Sequence, residues 1–92
     1  PFEALEVRMA KEKPQVMPGL TALRKAMSEP AFARLISPLL NINLGEDALL
    51  LVAGDERVRT ELIGKYLPVL KAAFNVSRVR VVGGARNGLD AY

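Results

Sequence analysis

Between Phe32 and Phe74 the hydrophobic period changes twice, and this limits the folds open to the chain. Phe32, Leu35 and Ile36 follow helical spacing until Pro38 stops them. Asn41-Ile42-Asn43-Leu44 then alternates polar and apolar, the mark of a half-buried strand. Gly45-Glu46-Asp47 supplies a turn with a glycine able to take positive φ. Ala48–Ala53 is apolar throughout, as expected of a strand at a sheet centre or buried on both faces. The helical period returns in Val58, Leu62, Tyr66, Leu70 and Phe74, with Ile63, Leu67 and Ala73 beside them. Pro68 interrupts this last stretch. Proline clashes with the carbonyl four residues back, here that of Gly64, where the bare backbone has room to bend. The sequence predicts a kink or break near 65–68 without loss of the element.

The flanks extend the pattern. Pro18 suits the first turn of a helix over about 19–27, with Leu20, Leu23 and Met27 on one face. Ser28 is a good N-cap for a second helix over about 29–37, and Asp55 for the third. Val76–Val82 reads as a strand, with Val79 and Val81 facing one way and Arg78 and Arg80 the other. The expected order is α-α-β-β-α-β, an α+β fold with a three-stranded sheet and helices packed on one face. Phe32, Ile36, Leu50, Leu62, Tyr66, Leu70 and Val79 are its expected core. Residues 1–17 read as an N-terminal extension outside that core, 18–83 as the domain and 84–92 as a flexible tail.

Ninety-two residues make one domain with a small core. The chain begins at Pro1 and not Met, as expected of a processed or excised piece. Neither a membrane span nor a signal peptide is legible, and the absence of cysteine suits a reducing cytoplasm. With no cysteine and no histidine, disulfides, thiolate metal sites and the commonest general base are all excluded. The serines and threonines lack a histidine to activate them, and no Ser-x-x-Lys motif occurs. The acidic pairs Glu46-Asp47 and Asp55-Glu56 fall in turns, where capping is their usual work, so neither a metal nor a carboxylate dyad is expected there. No catalytic residue and no cofactor follows, and the chain is read as a noncatalytic unit.

Charge is uneven along the chain. Residues 1–56 carry six basic and eight acidic side chains, and 57–92 carry seven basic and two acidic ones. Lys65, Lys71, Arg78 and Arg80 are candidate nucleic-acid contacts. They are expected on two separate surfaces, giving weak, nonspecific attraction at most near physiological salt. The segment Gly83-Gly84-Ala85-Arg86-Asn87-Gly88 resembles a glycine-rich loop. No helix follows it to hold a phosphate, and it reads as a flexible exit.

The element order, together with Phe32, Ile36, Pro38 and Leu39 in the second helix and Tyr66 in the third, resembles the N-terminal domain of the bacterial replication initiator DnaA. The resemblance spans about residues 19–83. It implies a KH-like fold, cytoplasmic location and protein contacts: self-association, and docking of the replicative helicase or an initiation regulator. The C-terminal module of the polymerase III tau-type clamp-loader subunit is a related alternative, with a polymerase subunit as partner. A KH-like module binding single-stranded nucleic acid is another. The chain has Leu35 where the family has Trp, and Val16 where spacing places an aromatic used in self-association. It also has Arg57 where some members carry an apolar helicase contact. The resemblance places docking on helix two and the start of helix three. Glu29, Arg34, Glu56, Arg57 and Glu61 are therefore the candidate partner-binding residues.

Overall fold

The computed structural model describes residues 3–83 and shows an α+β fold with five helices and one three-stranded mixed sheet. Helix α1 spans Leu5–Glu12, and a 3-10 turn over Pro14–Val16 leads into α2, Met17–Ala26. Helix α3 spans Glu29–Leu35. Strands β1 (Asn41–Leu44) and β2 (Ala48–Val52) form an antiparallel hairpin. Helices α4 (Glu56–Lys65) and α5 (Leu67–Phe74) cross over to β3 (Arg78–Val82), which pairs parallel to β2. The sheet order β1-β2-β3 puts the apolar strand β2 in the middle.

Local chemistry sets the joints. The Ser28 side chain accepts from the Ala31 amide and caps α3, and Asp55 accepts from the Arg57 amide and caps α4. The long third helix breaks at Tyr66, so Pro68 falls in the first turn of α5, where its missing N–H leaves nothing unpaired. Gly64 does not make the room: a β-carbon there would meet nothing within 4 Å. Nor does Gly45 use positive φ. Among the described residues only Asn75 does (φ 54°), at the left-handed cap that ends α5.

The core corrects two expectations. Residues 1–17 are not wholly outside it. Leu5 and Met9, one helical turn apart on α1, and Val16 are fully buried. An eight-residue helix is marginal alone, so α1 depends on these contacts. It is also tied by backbone and side-chain bonds to the segment after α3. The Leu5 amide donates to the Ser37 carbonyl (2.9 Å), and Arg8 donates to the carbonyls of Leu39 (2.8 Å) and Leu40 (3.1 Å). Second, Leu50 does not face the core. Register pairs it with Arg80 on the opposite sheet face, and the inward residues of β2 are Leu49 and Leu51. Phe32, Ile36, Leu62 and Leu70 are buried as expected, whereas Tyr66 and Val79 are half-buried beside them. The tail expected over 84–92 lies outside the described residues.

Helices α2 and α5 approach closely at Gly19. A β-carbon there would overlap Cδ1 and Cε1 of Phe74 and lie 2.8 Å from its Cγ. Gly19→Ala is therefore expected to force the helices apart at a cost of about 1–3 kcal/mol. Urea denaturation should show this loss, and Phe74→Leu in the same chain should regain part of it. Additive losses in the double variant would contradict the contact.

Candidate docking surfaces

Helices α3 and α4 lie side by side and are joined by charge. Arg34 reaches Glu61 with both guanidinium nitrogens, Nη1 to Oε1 at 2.5 Å and Nη2 to Oε2 at 3.0 Å. This bidentate fork is the strongest geometry open to such a pair. Lys65 stands 3.9 Å from the same carboxylate. The bond from Arg34, more than any other influence, holds the Glu61 carboxyl below its ordinary pKa, and the Arg34 pKa rises in turn.

The structure brings Arg34 and Glu61 together but turns Glu29 elsewhere. Glu29 pairs with Arg24 of α2 at 3.1 Å, and the Arg24 guanidinium lies 4.8 Å over the Phe32 ring. Glu56 pairs with Arg59 at 2.8 Å, and Arg59 also donates to the Val81 carbonyl of β3. Arg57 is different: its side chain is 94% exposed, with Asp55 3.9 Å away. Four of the five candidate residues thus have an intramolecular partner at 3.1 Å or closer, and Arg57 is the one that presents its charge outward. Val16 is fully buried and has no surface to offer a partner.

The sheet carries a second surface. Its inward face holds Ile42, Leu49, Leu51 and Val81. Its outward face holds Asn43, Leu50 and Arg80 in one row and Ala48 with Arg78 in the next. These residues and Gly45 border a shallow depression of about 340 Å³. Lys65 and Lys71 ride on α4 and α5, helices that pack their apolar sides into the core cluster with the inward face. They do not join Arg78 and Arg80. The outward phase of Leu50 is the feature that sequence reasoning missed. The run Leu49-Leu50-Leu51 has no alternation to fix a phase, although the alternation of β3 does once the register is known.

Three of the four acidic-pair residues, Asp47, Asp55 and Glu56, are taken up structurally. Asp47 accepts from the Ser77 amide at 3.0 Å and from the Ser77 hydroxyl, fastening the hairpin turn to the start of β3. These bonds, with Arg78 adding a smaller effect, hold the Asp47 carboxyl below its ordinary value. Among the described residues no group of three potential metal ligands occurs, and no helix is long and apolar enough to cross a membrane.

The two lowered carboxyls predict an acid limb of stability. Asp47 and Glu61 sit below ordinary values of 3.8 and 4.5, so their contribution is complete above those values. It is lost as pH falls through the lowered folded-state values. In urea denaturation, the gap between the native chain and Glu61→Gln should stay constant from neutral pH to about 5 and then close. A gap unchanged down to about pH 2 would contradict the Arg34–Glu61 pairing in solution.

No protein family, curated protein or solved structure matches this chain.

Proposed function

We propose that this chain is a noncatalytic docking domain of the bacterial DNA-replication machinery, KH-like and related to the N-terminal domain of the initiator DnaA. Its partner is the replicative helicase, an initiation regulator or a second copy, met in the cytoplasm. The observation that carries the reading is the α3–α4 face. A bidentate Arg34–Glu61 fork links the two helices, and Arg57 stands exposed on α4, one turn before Glu61. A braced helix pair beside one almost fully exposed charge suits a surface that selects partners by electrostatic complementarity. The order from α2 to β3 also supports it, with α4 and α5 in place of one helix and α1 packed on as an addition.

The test is the affinity of the purified chain for a bacterial replicative helicase and for itself, with Arg57→Glu as the variant. The expected result is a loss of about tenfold, or 1.4 kcal/mol, at an unchanged thermal midpoint. Absence of binding to helicase, regulators and a second copy would overturn the reading, as would an affinity that Arg57→Glu leaves unaltered.

A further inference from the structure

The outward sheet face has a make-up that the fold itself does not require. Its middle is aliphatic and half-buried, formed by Leu50, Val52 and Val82. On one side stand Arg78 and Arg80, two residues apart on β3, so that their side chains leave the strand about 6.6 Å from each other. Among the described residues neither side chain makes a hydrogen bond or an ion pair, whereas Arg8, Arg24, Arg34 and Arg59 all do. Asp47, whose charge reaches Arg78, has both carboxylate oxygens engaged by Ser77. On the other side of the face Lys13 Nζ donates to the Asn41 and Asn43 side chains and the Ile42 carbonyl, all neutral oxygens, and so keeps its charge uncompensated. Three cations border the face, and none of its strand positions is acidic.

We propose that this face binds an extended acidic peptide with an aliphatic side chain, a second docking site distinct from the α3–α4 face. Alternate residues of an extended peptide are also about 6.6 Å apart and point the same way. Two carboxylates spaced two residues apart therefore match Arg78 and Arg80. The next residue in phase lies toward Val82, Val52 and Leu50, where an aliphatic side chain is sheltered from water. Nucleic acid fits less well. The strand positions of this face offer no aromatic ring for a base to stack on, and phosphates alone would leave the aliphatic strip uncovered.

Fluorescence anisotropy of the full chain with a labelled peptide containing Asp-Ser-Asp-Ser-Leu tests the proposal, at about 100 mM salt so that long-range attraction is screened. The expected result is saturable binding that falls about tenfold in Arg80→Gln and is abolished in the chain carrying both Arg78→Glu and Arg80→Glu, each with a native circular dichroism spectrum. Arg57→Glu should bind this peptide normally, so failure here leaves the α3–α4 reading standing and failure there leaves this one. Equal affinity for the peptide with Asn in place of both Asp residues would overturn the proposal. So would unchanged binding in the arginine variants, or tighter binding of a labelled oligothymidylate than of the peptide.

Discussion

A chain lacking residues 1–16 is expected to lose its cooperative unfolding transition. The deletion removes Leu5, Met9 and Val16, all at 0% exposure, and the Arg8 bonds that hold the carbonyls of Leu39 and Leu40. Truncating a buried Leu or Met to Ala costs about 2–5 kcal/mol at each position. A domain of this size has about 5–15 kcal/mol in total. Loss of two or three such side chains therefore consumes most of that margin, even after the ordering entropy of the deleted segment is returned. Circular dichroism in urea should show a sigmoid for the full chain and a shallow, broad change for the shortened one. An unchanged midpoint after deletion would mean that the segment is an accessory to the core and no part of it.

Phe32→Ala is expected to be the most damaging single substitution, at about 3–5 kcal/mol. The ring is 1% exposed and is the largest side chain among the fully buried residues of the cluster. It sits on α3 between the capped start at Ser28 and the Arg34 fork to α4. Its loss opens a cavity and also removes the surface on which Arg24 rests. Phe32→Leu should recover more than half of the lost stability, because most of the cavity is refilled. Equal losses in the two variants would show that ring shape, and not filled volume, is what α3 supplies.

The parts of the fold that were legible in the sequence are those where period and punctuation agree. The cap at Ser28, the cap at Asp55, the hairpin over 41–52 and the break before Pro68 each rest on residues within a few positions of one another. Helix α1 was hidden because Phe2, Leu5, Val7 and Met9 give a loose alternation. Only the contacts reveal that Leu5 and Met9 form the buried pair, while Val7 is 47% exposed. Leu50 escapes a local reading for the complementary reason. Three consecutive leucines carry no phase, and the phase comes from pairing with β3, about thirty positions away. Gly19, next to Pro18, serves as the contact point for Phe74, a relation between distant helices that no local pattern encodes.

The candidate site followed the same division. The residue types were visible, but their pairing was not. Arg34 and Glu61 are 27 positions apart, and their fork is a property of helix packing. The basic surplus of the chain likewise divides only in three dimensions. Arg8 and Arg59 spend donors on backbone carbonyls, whereas Arg57, Arg78 and Arg80 face outward and Lys13 donates only to neutral oxygens at the edge of the sheet. Apart from the exposed lysines of the helices, outward-facing arginine marks two faces, one on α3–α4 and one on the sheet.

Titration of isotope-labelled chain with a purified bacterial replicative helicase, followed residue by residue through backbone amide signals, tests the docking claim most directly. The amides of Arg34, Glu56, Arg57 and Glu61 are expected to broaden or shift first, while those of Asn43, Leu50 and Arg80 hold their positions. A spectrum perturbed on the sheet face alone would contradict that claim, as would one that neither the helicase, nor an initiation regulator, nor a raised concentration of the chain itself perturbs.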